Sequence, residues 1–115
     1  MAHTYRFVEP VLLYRLLARG CSYGYELMGD LEEHALIGGG IDSAVLYRTL
    51  RQLEAAGMVT SSWETPEAGP ARRRYRLTEA GQALLSDWTA SLESLGSAIR
   101  RFLAGVESAR EPTCT

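Results

Sequence analysis

The sequence predicts a mainly α-helical chain with one small β-hairpin and a long C-terminal helix. Three observations carry this expectation. Three apolar stripes at helical spacing follow one another between glycine-containing breaks, and the period then shortens to two in a pair of segments flanking a Pro/Gly loop. A last helical segment then runs from about Thr78 to Val106, with an apolar stripe from Trp88 onward.

Pro10 suits the first turn of a helix, and Val11, Leu12, Leu13, Leu16 and Leu17 follow at spacings of three and four until Gly20 ends the pattern. Ser22 is placed to cap a second helix. Its apolar stripe is Tyr25, Leu27, Met28 and Leu31, with Ala35 at the far end and Asp30, Glu32 and Glu33 turned to solvent. Gly38, Gly39 and Gly40 break that helix. Asp42 is a good N-cap for a third helix reaching about Ala56, stopped by Gly57 and burying Val45, Leu46, Leu50 and Leu53. Three short helices joined by tight Gly-containing turns are what a helix-turn-helix requires.

Met58 to Glu64 and Arg73 to Leu77 alternate as strands. Val59, Ser61 and Trp63 share one face of the first, while Tyr75 and Leu77 oppose Arg74 and Arg76 on the second. Thr65 to Ala71, with Pro66, Gly69 and Pro70, forms the loop between them. A helix-turn-helix followed by a hairpin is a winged helix-turn-helix. Thr78 caps the last helix, whose first turn holds Glu79, favourable for the dipole. At 1.5 Å per residue it spans roughly 40 Å, more than a three-helix domain needs. Within it Trp88, Leu92, Leu95, Ile99, Phe102 and Val106 recur at steps of 4, 3, 4, 3 and 4, a coiled-coil-like seam. A stripe without a partner in its own chain implies one from another chain, and a two-fold homodimer is the expected arrangement. The expected organisation is a DNA-binding winged helix-turn-helix over 1–77, a dimerisation helix over 78–107 and a flexible tail over 108–115.

With 115 residues, 46% hydrophobic and 23% charged, the composition is that of one globular domain with an added dimerisation element. No stretch approaches the roughly 20 apolar residues of a membrane span, and His3, Arg6 and Glu9 stand where a signal peptide is apolar, so a cytoplasmic protein is expected. Cys21 and Cys114 make no disulfide framework, and His3 and His34 have no ligand spacing, so neither a metal nor a cofactor is expected. Cys21 reads as packed at a turn and His34 as a capping or solvent-facing residue. Glu32 and Glu33 are adjacent and point apart, and no Ser/His/Asp arrangement or phosphate loop is present. The chain reads as a non-enzyme.

The net charge of -2 hides an uneven distribution: every cation is arginine, and residues 41–76 hold six Arg against four acids, while the segments on either side are acidic. Arginine grips phosphate bidentately and reads guanine edges, so this middle third is where nucleic-acid contact is expected.

Several segments resemble the PadR family of bacterial transcriptional regulators, over roughly residues 8 to 85. Ser22-Tyr23-Gly24-Tyr25-Glu26-Leu27 is similar to the family's second-helix segment, and Val45-Leu46-Tyr47-Arg48-Thr49-Leu50-Arg51-Gln52-Leu53-Glu54 to its recognition-helix segment. Ala56-Gly57-Met58-Val59 resembles the entry into the wing, and Gly69-Pro70-Ala71-Arg72-Arg73-Arg74-Tyr75-Arg76-Leu77-Thr78 the return strand. Tyr23, Arg48 and Arg74 depart from the family's usual His, Pro and aromatic. The resemblance implies a homodimer joined through the C-terminal helix and a regulator, usually a repressor, acting on a near-palindromic double-stranded DNA operator.

On the third helix, Ser43, Ala44, Tyr47, Arg48 and Arg51 fall opposite the buried leucines, the face expected to enter the major groove. Ser43, Ala44 and Arg48 are expected nearest the bases and Tyr47 and Arg51 on phosphate. Arg72, Arg73 and Arg74 of the wing are expected to track the backbone or the flanking minor groove. Arg76 suits a structural ion pair as well as a DNA contact. In some relatives resembling this chain a flat cavity at the dimer centre takes planar aromatic compounds. That resemblance implies a small aromatic effector lined by Tyr5, Phe7, Val11, Trp88 and Leu92. The competing readings are a winged-helix module for a protein partner and a ligand-binding dimer without a DNA role.

Overall fold

A computed structural model describes residues 5–111; His3, Cys114 and the end of the expected tail lie outside the described residues. The element order is α1 (Val8–Arg19), β1 (Ser22–Tyr23), α2 (Gly24–Glu33), α3 (Ser43–Ala55), β2 (Val59–Glu64), β3 (Arg72–Leu77) and α4 (Glu79–Ala109). The chain is mainly helical, with a three-stranded antiparallel sheet in the order β1-β3-β2. It divides between Leu85 and Ser86 into two compact units.

In the first unit the apolar stripes of the three short helices meet. Leu12, Leu13 and Leu16 of α1, Leu27 and Leu31 of α2, Leu46 and Leu50 of α3 and Val59 of β2 are completely or almost completely buried. Burying a side chain of this kind contributes about 1.5–3 kcal/mol each, which is what holds helices too short to persist alone. Asp42 caps α3, its carboxylate accepting the Ala44 N–H at 2.9 Å, as the sequence predicts. The connection from α2 passes through Gly38, Gly39 and Gly40, all left-handed at φ 76°, 80° and 67°, where a side chain would be strained.

Four local expectations are corrected. Ser22 does not cap α2: it lies in β1, paired with Tyr75, and its hydroxyl accepts from Arg19 at 2.7 Å. The first turn of α2 is closed instead by Glu26, whose carboxylate accepts the Tyr23 N–H at 2.9 Å. Tyr25 leaves the apolar stripe, 63% exposed, because its ring stacks on Tyr23 at 5.7 Å. Asp30 does not face solvent alone but pairs with Arg19 at 2.8 Å and Arg15 at 3.4 Å, tying α2 to α1. The Asp30 hydrogen bond raises the already high pKa of Arg19. Leu17 is half exposed at the end of the α1 stripe.

Thr78 closes the sheet and opens α4. Its N–H donates to Met58 O at 3.0 Å, its hydroxyl donates to Gly57 O at 2.7 Å, and the same oxygen accepts the Gly81 N–H at 3.0 Å. The buried residues of α4 are Gly81 and Leu85, both in the first unit. In the second unit, Trp88, Leu92 and Val106 are half-buried, whereas Leu95, Ile99, Phe102 and Leu103 are exposed.

Candidate nucleic-acid interface

α3 presents Ser43, Ala44, Tyr47, Arg48 and Arg51 to solvent, opposite buried Val45, Leu46, Leu50 and Leu53. One of these side chains is held from behind. A Cβ on Gly24 would lie 2.6 Å from the Tyr47 hydroxyl and 2.8 Å from its ring, so the missing side chain at the first residue of α2 is what lets the Tyr47 phenol rest there.

The hairpin is keyed to the other end of α3. β2 and β3 pair in the register Trp63↔Arg73, Ser61↔Tyr75 and Val59↔Leu77, so Ser61 stands beside Arg73 on one face. Arg73 Nε donates to Ser61 Oγ at 2.8 Å, Ser61 Oγ donates to Glu54 Oε2 at 2.7 Å, and Arg73 Nη2 lies 3.5 Å from Glu54 Oε1. This relay joins the return strand to the last turn of α3. Tyr75 lies beneath it, 5% exposed, and burial raises its phenol above the ordinary value of 10.0.

Arg74 lies beside β1, 3.7 Å from Glu64 and with its Nε donating to Cys21 Sγ at 3.1 Å. Cys21 is thus half-buried against an arginine. Glu64 also accepts the Tyr23 hydroxyl at 2.5 Å, and that hydrogen bond raises the Tyr23 pKa. The Arg72 guanidinium sits 4.1 Å from the centre of the Tyr23 ring, and Arg73 is 5.5 Å from that of Trp63.

The arginines expected to meet DNA therefore divide into two groups. Arg73 and Arg74 have carboxylate partners, whereas Arg48, Arg51 and Arg72 have none among the described residues. Arg76 likewise has no carboxylate partner within ion-pairing distance there. Exposed pairs contribute about 0–1 kcal/mol, so a phosphate can displace Glu54 or Glu64, but the three unpartnered cations offer their charge without that exchange.

The residues expected to line an effector site divide between the two units. In the first unit Tyr5 is exposed, Phe7 half-buried, and Val11 a core residue at 2% exposure, placed there by the α1 stripe and not facing a ligand. Trp88 and Leu92 lie half-buried in the second unit. Sequence reasoning overlooked Gly24, Tyr25, Trp63, Glu54 and Glu64. The one local signal was the aromatic pair flanking Gly24, and the rest depends on contacts between elements.

His34 ends α2, its Nδ1 accepting the Leu36 N–H at 3.1 Å. Among the described residues no group of His, Cys, Asp and Glu is arranged to hold a metal ion, and no helix is long and apolar enough to cross a membrane.

Comparison with known proteins identifies this arrangement. The family model for the transcriptional regulator PadR-like family matches residues 12–87. A curated relative, transcriptional regulator Rv3488 of Mycobacterium tuberculosis, is 38% identical over 73 residues, 64% of each chain, so the match spans just under two thirds of that regulator. Among solved structures, a PadR family transcriptional regulator from Eggerthella lenta superposes with a TM-score of 0.71 at 29% identity, covering 84% of this chain and 81% of that one. The conserved protein TM0937, described as a potential transcriptional factor, reaches a TM-score of 0.79 at 26% identity over 97% of this chain and 99% of its own. Members of this family are transcriptional regulators and not enzymes. The winged helix, its arginine-bearing hairpin and the residues of the match place this chain in the PadR-like family of transcriptional regulators.

Proposed function

We propose that the chain is a cytoplasmic, homodimeric, sequence-specific repressor that binds a near-palindromic operator with half-sites about one helical turn apart. The observation that carries this reading is the solvated face of α3, where Ser43, Ala44, Tyr47, Arg48 and Arg51 stand together and neither arginine is neutralised by a carboxylate among the described residues. Ser43, Ala44 and Arg48 meet base edges, and Tyr47 and Arg51 take phosphates. Arg72 leads the wing contacts, with Arg73 and Arg74 exchanging their carboxylates for DNA. In this reading residues 1–77 form the DNA-binding domain and 78–107 the dimerisation helix.

The dimer is supported by the exposed apolar residues of α4, among them Leu95, Ile99 and Phe102, which extend the seam begun by Trp88 and Leu92 and ending at Val106. A small aromatic effector acting on that dimer is part of the same reading, and Trp88 and Leu92 are the residues left to receive it. Repression follows the resemblance to the family.

The test is a genomic-fragment binding selection with purified protein at physiological salt, repeated with Arg48→Ala and Arg51→Ala combined. Enrichment of one inverted repeat, lost in a variant that keeps the dimer, supports the proposal. Failure of a folded dimer to enrich any sequence moves the function to a protein partner or a ligand.

A further inference from the structure

Two clefts border the hairpin, and their walls differ. The one between the N-terminus of α2, α3 and the wing is aromatic, with Tyr25, Tyr47 and Trp63 beside Arg72. The other, about 140 Å³, is polar and basic: Cys21, Thr60, Ser61, Ser62, Arg74 and Arg76 line it, and no carboxylate is among them. That volume falls below the roughly 300–1,000 Å³ that encloses a whole organic ligand, so it suits a small ion or the terminal group of a larger molecule.

The strand register builds this second cleft. Thr60 pairs with Arg76 and Ser62 with Arg74, so these four exposed residues share the sheet face opposite buried Val59 and Tyr75. An acid opposite an exposed arginine would stabilise the pair, yet each arginine here faces a hydroxyl. The two cations stand two residues apart on one strand, about 7 Å along it, and repel each other. Arg76 has no carboxylate within ion-pairing distance among the described residues. Arg74 has Glu64 at 3.7 Å, a carboxylate that also accepts the Tyr23 hydroxyl, and its Nε is engaged with Cys21 Sγ at 3.1 Å, which restrains the guanidinium. Ser61 contributes no free hydroxyl, because its Oγ serves Glu54 and Arg73. An anion bridging the two guanidiniums removes their repulsion. A doubly charged tetrahedral oxyanion fits best, since its oxygens can accept from both guanidiniums and from the hydroxyls of the facing strand.

We propose that the polar face of the hairpin is a binding site for a phosphate dianion, free or at the end of a small phosphorylated molecule, held by Arg74 and Arg76 with the hydroxyls of Thr60 and Ser62. The site does not rest on the proposed DNA-binding face. Of its two cations, Arg74 alone is shared with the proposed wing contacts.

The test is nuclear magnetic resonance of the full chain at fixed ionic strength, reading the guanidinium Nε–H signals of Arg74 and Arg76, assigned by the signal that Arg74→Gln and Arg76→Gln each lose. Inorganic phosphate and methyl phosphate are titrated at a pH where a monoester carries two charges, above about 6, and dimethyl phosphate serves as the singly charged mimic of a nucleic-acid backbone. Inorganic phosphate is expected to shift both signals together and saturably, where chloride does not. Arg76→Gln should weaken binding at least about tenfold, read on the Ser62 amide, the range set by one charge-assisted hydrogen bond. Ser62→Ala, which keeps both charges, should weaken it about threefold, read on the Arg76 signal. Both substituted residues are exposed, and unchanged amide signals from the three short helices show the fold kept. Methyl phosphate binding as well as inorganic phosphate makes the occupant a phosphorylated molecule; inorganic phosphate binding alone makes it the free ion, and either supports the site. Shifts that do not saturate, or that chloride reproduces, overturn it, as does unchanged affinity in Arg76→Gln. Dimethyl phosphate binding as tightly as inorganic phosphate also overturns it and gives the cleft to a nucleic-acid backbone.

Discussion

Replacing Gly24 with alanine separates the positioning of Tyr47 from the stability of the fold. The new Cβ would meet the Tyr47 hydroxyl at 2.6 Å and ring carbons at 2.8 and 3.0 Å, all below normal contact, so the ring must leave. It can do so at small cost, since Tyr47 is 40% exposed and the clash involves the far end of a rotatable side chain. Gly24 does not have the positive φ that would itself forbid alanine. A strained rotamer costs about 0.5–1.5 kcal/mol, while alanine in place of glycine in a helix returns about 0.5–1 kcal/mol. The net change in unfolding free energy should therefore stay within about 1 kcal/mol. Affinity for the selected operator should fall further, because a phenol withdrawn from phosphate loses about 1–1.5 kcal/mol, or roughly fivefold to tenfold in Kd. Fluorescence anisotropy at one fixed salt concentration, beside a urea titration, reads both quantities, and Tyr47→Phe should match the affinity loss without the steric change. Wild-type affinity in Gly24→Ala with a clear loss in Tyr47→Phe would refute the claim that α2 holds the phenol in place.

Three further outcomes are expected. Glu54→Gln should cost no more than about 1 kcal/mol of stability, since the pair is partly exposed, yet release Arg73 so that the salt dependence of non-specific DNA binding steepens by about one charge; an unchanged salt slope would show Arg73 remote from phosphate. Burial raises the folded-state pKa of Tyr75 above 10.0, so the protonated phenol's contribution is complete below that pH and is lost as pH rises through the folded value; urea titrations across this range should decline less steeply in Tyr75→Phe. Phe102→Glu, on a residue 68% exposed, should leave the first unit folded but convert the proposed dimer to monomer in sedimentation equilibrium, and a persisting dimer would place the interface elsewhere.

Much of this architecture was legible from spacing alone. Glycines 20, 38–40 and 57 marked the helix ends, Asp42 the start of α3, and the leucines of α1 and α3 their buried faces, because capping and amphipathic period are local properties. The hairpin showed for the same reason. Strand β1 did not, since two residues cannot display an alternation, and Ser22 has the chemistry of a cap whether or not a strand lies beside it. Asp30 looked solvated because its partners, Arg15 and Arg19, belong to another helix, and Tyr25 looked buried because its spacing fitted the stripe. In the candidate site the solvent-exposed face of α3 was readable from helical geometry, but the pairing of Arg73 and Arg74 with acids, and the aromatic cleft beside Arg72, arise only when hairpin, α2 and α3 meet. Distance along the chain hid these contacts.

The hydrogen bond from Ser61 of β2 to Glu54 of α3 fixes a length, and it does not depend on Arg73, which is free to turn to DNA. With the hairpin fastened in this way to the last turn of α3, the interval between the proposed groove contacts and flanking contacts within one subunit does not adjust to the DNA. An inserted base pair displaces everything beyond it by about 3.4 Å, more than a side-chain hydrogen bond can stretch, so an insertion inside a half-site of the proposed operator should defeat binding outright. The interval between two such half-sites falls outside this link, and tolerance to insertion there is where two operators of the proposed kind are free to differ.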